Sequence, residues 1–461
     1  MLNNGSSRQP AAASSACHGF PPGRAPPDHA RSGEGALSRA GLQHHAPPMS
    51  SAPRSAPLSA GVLSLPVIIA ALGYFVDIYD IVLIGMVGKA SLLGIGVAGD
   101  AIAATMGHLL GLQMVGMLLG GFAWGMIADR WGRMTTLFGS ILLYSTATLL
   151  NGFVTDLWHY EVLRVIAGFG LAGELGVGIT LVVESLPREK RAYGATVVAC
   201  VGIAGAVLAW AVNRSCDWRH AFVIGGVMGY VLLILRWLSH ESGLFRKLDA
   251  QTPKGSLRLL FGSPQRIGRY LLVIAMGLPT WFVVGIFVFL APKTAAALKV
   301  DGEVVGANAI LLCYIGLIVG DIAAGFITQA LASRRKTVLL FMTASLLASG
   351  GLLLTTGLTA TTYYAMCFGL GLTVGFWALF VTIAAEQFGT NLRATVATTV
   401  PNVARGLFYP MQWTLFALAG SFGYVSVVAG LGVLCFGLAL FAVWKMPETH
   451  GRDLDYLEEL P

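Results

Sequence analysis

Charge is scarce in this chain: Asp, Glu, Lys and Arg together make up 11% of 461 residues. Water-soluble domains carry about a quarter of their residues charged, which excludes an ordinary soluble domain. The six cysteines (Cys17, Cys200, Cys216, Cys313, Cys367, Cys435) show neither metal-ligand nor redox spacing. Most of them fall inside apolar runs, where a small buried side chain suits them. The chain also lacks a nucleotide-binding loop and a nucleophile–base cluster, so neither an enzyme nor a cofactor or metal is expected. The net charge of +7 sits in short loops and the amino-terminal tail, which argues against a nucleic-acid partner.

Hydrophobic residues make up 55% of the chain, in well-separated runs numerous enough for about twelve membrane-crossing helices. The expectation is an all-α membrane protein of twelve spans in two pseudo-symmetric six-helix bundles. Residues 1–58 form a tail rich in Pro, Ala, Ser, Gly, Arg and His, with no apolar periodicity and no signal-peptide core, expected to be disordered. Met49, just ahead of the first span, is an alternative translation start. Residues 59–240 form the first bundle, with spans near 60–86, 103–128, 134–153, 157–186, 192–213 and 219–238. A basic loop, 241–268, separates it from the second bundle, 269–446. The second set of spans lies near 269–292, 305–330, 337–357, 361–386, 394–419 and 422–444, and residues 447–461 form a tail.

One stretch concentrates the scarce charge: Gly125-Met126-Ile127-Ala128-Asp129-Arg130-Trp131-Gly132-Arg133. Flanked by two apolar runs, it reads as a tight turn at one membrane face, where glycine permits both positive φ and close helix approach. Arg130, Arg133, Arg188, Lys190, Arg191, the basic central loop, Arg334, Arg335, Lys336 and Arg393 all fall on that face. The opposite face has Lys89, Arg214, Arg219, Lys293 and Lys299. The positive-inside rule places the first face and both termini in the cytoplasm. The chain also repeats itself. Glu184 precedes Arg191 by the spacing at which Glu386 precedes Arg393, and Gly168 and Gly170 are echoed by Gly369 and Gly371. In the second half Gln329 stands where Asp129 does, and the arginines shift to Arg334 and Arg335.

The pattern Gly125-x3-Asp129-Arg130-x-Gly132-Arg133 resembles the loop between helices 2 and 3 of the major facilitator superfamily. Arg164-x3-Gly168-x-Gly170-x2-Gly173-Glu174, Glu184-Ser185-Leu186-Pro187, Glu241-Ser242 and Pro447-Glu448-Thr449-x-Gly451-Arg452 are similar to motifs of its sugar-porter and metabolite:proton symporter branch. Asp77-Ile78-Tyr79-Asp80 resembles the first-helix motif of phosphate and organic-acid symporters, although Glu174-Leu175-Gly176 departs from the phosphate carriers. The resemblance covers residues 60 to 455. It implies alternating access between two bundles, gated by an ion-pair network of Gly125, Asp129, Arg130, Gly132, Arg133, Glu184, Arg191, Glu241, Glu386 and Arg393.

Charges inside a span are costly and are functional candidates by default. Asp77 and Asp80 lie on one helical face, Glu174 near the middle of the fourth span, and Asp321 in the inner half of the eighth. Arg164 and Arg405 are read as the two intramembrane cations, with Asn402 one turn before Arg405. These seven are the candidates for proton coupling and the substrate cavity, although some can equally be structural ion pairs. Trp281, Tyr314, Trp377, Gln412 and Trp413 are candidate pocket residues. The function these residues suggest is proton symport of a small polar metabolite such as an organic acid, by a monomer in a bacterial inner membrane. A sugar or organic-cation carrier and a transport-inactive sensor are the alternatives.

Overall fold

The computed structural model of the protein describes residues 61, 63–99, 101–187, 190–237, 254–451 and 456–459. The expected tail 1–58 and Glu241 lie outside them. Among the described residues the chain forms twelve long helical runs, besides the short helices Leu257–Phe261 and Ala291–Ala297. The first six are α1 (Leu65–Gly94), α2 (Ile102–Trp131), α3 (Arg133–Asn151), α4 (Leu157–Leu171 and Glu174–Ser185), α5 (Arg191–Ile203 and Gly205–Ser215) and α6 (Trp218–Arg236). The second six are α7 (Pro264–Phe282, continued by a π-helical turn Val283–Phe289), α8 (Gly306–Leu331), α9 (Arg334–Leu354), α10 (Ala360–Val374 and Trp377–Glu386), α11 (Arg393–Gly406 and Phe408–Phe422) and α12 (Tyr424–Lys445). Among the described residues, ten helices are long and apolar enough to cross a membrane, by length and composition. The two runs outside that set, α3 and α11, are the ones diluted by Arg133, Arg393, Arg405 and several threonines.

Local sequence explains the starts and interruptions. Asp156, Asp217, Ser333 and Thr359 each accept the amide three residues on, capping α4, α6, α9 and α10. Pro66 and Pro264 occupy the first turns of α1 and α7, where a missing N–H costs nothing. Pro279 sits inside α7, and the helix widens to π geometry from Val283. Glu448, just past α12, accepts from Ser333 Oγ and from the amides of Arg334 and Arg335, tying the exit of α12 to the start of α9. Partial burial pushes its carboxyl up, but these donors outweigh that and hold it below the ordinary glutamate value.

Two boundaries differ from expectation. α1 runs on to Gly94 rather than ending near 86, because Val87 and Leu92 continue its buried face past the exposed Lys89. α7 begins at Pro264, within the stretch expected to be loop, and Leu257–Phe261 is helical as well. Arg266, one of the basic residues that made this stretch look like a loop, is helical, and with Arg269 it pairs with Glu458.

α1 is buried on most of its circumference among α4, α5 and α6. Between the two halves, α2 and the second part of α4 pack on α11, and α5 packs on α8 and α10. Close approach of α2 and α11 depends on Gly125, where a Cβ would stand 2.8 Å from Thr395 Cα. Gly132 takes φ +105° between α2 and α3, a conformation that favours glycine.

Candidate functional site

At the face holding the α2–α3 turn, the charges form one buried network. Arg133 places its guanidinium fork on Glu184, with Nε 3.1 Å from Oε2 and Nη2 2.9 Å from Oε1. Its Nη1 lies 3.4 Å from Asp129. Arg393, from the second half, reaches the same Glu184 Oε1 at 3.0 Å. Asp129 in turn accepts from the Ala394 amide at 3.2 Å, and from the Thr395 amide and hydroxyl at 2.8 and 2.7 Å. It therefore acts as an amino-terminal cap for α11, supplied by the other half. Arg133 Nη2 also donates to Thr390 O, so the network joins α2, α3, α4, the α10–α11 turn and α11. Arg334 pairs with Glu386 at 2.5 Å, the second-half counterpart of Arg133 with Glu184. Arg130 is exposed and reaches Lys254 O at 3.4 Å, while Arg191 donates to Leu186 O. Gly125 and Gly132 serve the backbone, as described above.

The intramembrane candidates separate into distinct roles. Asp80 lies 3.6 Å from Arg164, whose guanidinium also sits 5.1 Å from the Phe222 ring centre. Glu174 does not sit in an unbroken helix: it opens the second part of α4, after the interruption at Ala172–Gly173. Its carboxylate is held by Arg236 through both Nη atoms and by Ser140 Oγ at 2.9 Å. The reading of two intramembrane cations is thereby corrected, since Arg236 is a third, fully buried one. Sequence alone does not distinguish an arginine at the end of α6 from an interface anchor, and only the turn of the helix shows it pointing inward. An acid in mid-span without an assigned cation was the signal that could have found it.

Glu174→Gln should therefore act through folding. Leaving Arg236 buried and unpaired costs roughly 3–5 kcal/mol. The expected result is lost thermal stability in detergent, partly recovered by adding Arg236→Met. A fully stable Glu174→Gln protein would return Glu174 to the coupling candidates.

Asp77 and Arg405 are left without an ion pair among the described residues. Asp77 is fully buried and neither carboxylate oxygen has a hydrogen-bond partner there. Arg405 donates to Asn402 Oδ1 at 3.3 Å and lies 5.7 and 5.5 Å from the ring centres of Trp281 and Trp377. Asn402 does more than line this region, because its amide donates to Ala172 O at 2.9 Å and ties α11 to the interruption of α4. Asp321 accepts the Ala378 amide and lines a small pocket with Thr196, Thr328 and Arg334, apart from the aromatic cluster.

Tyr74, Thr280, Trp281, Tyr314 and Trp377 line a small pocket beside this cluster. Trp281 stacks on Phe289 with centroids 6.4 Å apart, and Phe289 borders a larger cavity of about 650 Å³. That cavity is walled by the ends of α1, α5 and the π-helical turn and by the starts of α2 and α8, all at the face away from the ion-pair network. Lys89, Lys293 and Glu303 stand at its rim. The structure is thus closed at the network face and open at the other, with Phe289 and Trp281 between the cavity and Arg405. Of the other candidates, Trp281, Tyr314 and Trp377 are at this site. Gln412 turns toward Gly107, which borders the larger cavity. Trp413 is 69% exposed on the outer surface of α11 and belongs to neither cavity. Tyr74 and Phe289, which sequence reasoning missed, are indistinguishable in an apolar run from packing residues.

Residues 70–408 match the model of the Major Facilitator Superfamily. A putative metabolite transport protein of Haemophilus influenzae is 27% identical over 422 residues, covering 84% of this chain and 96% of that protein. A putative niacin/nicotinamide transporter of Bacillus subtilis is 26% identical over 415 residues, with the same two coverages. The 3-(3-hydroxy-phenyl)propionate transporter of Escherichia coli is 28% identical, covering 78% of this chain and 91% of its own. Among solved structures, the proton:xylose symporter XylE superposes with a TM-score of 0.70 at 16% identity, covering 86% of this chain and 98% of that one.

Proposed function

We propose that this chain, which belongs to the major facilitator superfamily, couples inward proton movement to uptake of a small organic acid. That it is a multi-pass membrane transporter of small metabolites follows from its family and relatives. The observation that carries the finer reading is the pair of buried, unmatched charges at the bundle interface, Asp77 on α1 and Arg405 on α11. A guanidinium stays charged under all conditions and needs an anion. A substrate carboxylate at Arg405 satisfies it with charge-assisted hydrogen bonds, while Trp281 and Trp377 supply flat apolar walls for the rest of the molecule. Asp77 can hold a proton where no cation claims its carboxylate. One relative is named for niacin and nicotinamide and another for 3-(3-hydroxy-phenyl)propionate; niacin and the propionate are acids of this kind.

Alternating access follows from the two gates. With the ion-pair network assembled, substrate and proton enter by the open cavity and pass Phe289 to reach Arg405 and Asp77. Loading removes the uncompensated charge, so the halves can rock, the network separates and the site opens at the other face. We assign the network face to the cytoplasm, with both termini there, on the Lys/Arg bias of its loops. The bacterial relatives support placement in an inner membrane.

Uptake of labelled nicotinate, 3-(3-hydroxyphenyl)propionate and xylose into proteoliposomes, with and without a pH gradient, tests this. Accumulation of an acid but not xylose, only with the gradient, is the expected result. Arg405→Gln should weaken acid binding by roughly 10–100-fold, the equivalent of one charged hydrogen-bonded contact. Unchanged acid binding in Arg405→Gln would remove the carboxylate reading.

A further inference from the structure

The eighth helix carries an acid that neither lines the substrate pocket nor joins the ion-pair network. Asp321 is 1% exposed and has no ion pair among the described residues. It sits where α8 crosses the interruption of α10. At that crossing the two backbones touch: a Cβ on Gly320 would stand 2.8 Å from Gly375 Cα, and one on Gly375 would stand 2.8 Å from Asp321 N. The first part of α10 ends at Val374 and the second begins at Trp377, so the amides of its new first turn need acceptors. Asp321 Oδ1 accepts from the Ala378 amide at 3.1 Å. A carboxylate at this end is also favoured by the helix dipole.

The residue so anchored is the one that forms the site. Trp377 is the first residue of the second part of α10, its ring centre lies 5.5 Å from the Arg405 guanidinium carbon, and it meets Trp281 edge-on with centroids 6.2 Å apart. Phe380, one turn on, packs against it at 4.9 Å. A shift of that helix start moves one wall of the pocket and the ring beneath Arg405 together.

We propose that Asp321 is a positioning residue for substrate binding: reaching across from α8, it caps the broken tenth helix and thereby holds Trp377 against Arg405. The role requires an acceptor oxygen and no exchange of a proton, which separates it from coupling at Asp77. It rests on the carboxylate reading for its consequence in binding, but not for the capping itself.

Three variants in otherwise full-length protein test it. Asp321→Asn keeps an acceptor oxygen and should retain hydrogen-exchange protection of the 377–380 amides. It should also retain the wild-type KM for nicotinate and pH-driven accumulation. Asp321→Ala removes the acceptor and should raise exchange at 377–380 and raise KM about tenfold, with kcat changed less than KM. Arg405→Gln, run alongside, should weaken nicotinate binding by roughly 10–100-fold while leaving protection at 377–380 unchanged. Unaltered protection in Asp321→Ala overturns the capping role whatever happens to transport. An Asp321→Asn protein as impaired as Asp321→Ala also overturns it, because the charge rather than the acceptor would then matter. If Arg405→Gln binds nicotinate normally while Asp321→Ala loses protection, the carboxylate reading fails and the capping role stands.

Discussion

Asp77→Asn is expected to abolish uphill accumulation of substrate driven by a pH gradient while leaving counterflow exchange in place. Asp77 is fully buried, none of its oxygens has a hydrogen-bond partner among the described residues, and no cation lies within ion-pair distance of it there. An ionised carboxylate in that setting resists closure of the bundle around it, and a proton relieves it. The amide imitates the protonated state permanently, so the bundle can rock with substrate but no longer couples that movement to protons. At a gradient of one pH unit, loss of a single coupled proton removes a tenfold accumulation, about 1.4 kcal/mol. Asp80→Asn separates the two neighbours: it leaves Arg164 without its acid and should lower stability instead. Wild-type, pH-driven accumulation by Asp77→Asn would exclude coupling through this residue.

Arg133→Ala should slow transport more than tenfold with little change in substrate affinity. Arg133 joins Glu184, Asp129 and Thr390 O, and the last lies in the half opposite its own. Removing one partner of a buried pair costs roughly 3–5 kcal/mol in the state that contains it, and a shift near 5.5 kcal/mol carries a two-state equilibrium from 1:99 to 99:1. Glu184 keeps Arg393 in the variant, so the protein retains a paired acid and folds. The population should move away from the form closed at this face. A cysteine placed at Ala296, on the wall of the open cavity, should then react more slowly with an impermeant maleimide. Collapsed affinity with normal turnover would contradict a role confined to gating.

The intact first-half network and the weaker second-half copy explain why one turn was readable and the other was not. Asp129 serves two partners, Arg133 and the start of α11, and its environment demands an acid. Gln329 lacks that charge, and in its half Arg334 pairs with Glu386 while Glu448 of the carboxy-terminal segment takes the amides.

Composition and pattern alone determined that this is a helical membrane bundle with two related halves, that charge collects at one face, and which few residues carry charge in the apolar spans. Those are properties of local sequence: burying backbone in hydrocarbon demands helices, and a charge in such a helix is visible as an exception. Tertiary structure decided which charge answers which. Glu174 finds Arg236 on α6, Asp80 finds Arg164, and Asp321 finds the restart of α10 at Trp377–Ala378, leaving Asp77 and Arg405 without an ion pair among the described residues. An α-helix places a side chain every 100° around its axis, so its partner depends on how the helix is rotated and what it crosses. Arg236 differs from a lipid-interface arginine only by the direction it points, and Asp321 becomes a cap only because Gly320 and Gly375 let two backbones meet.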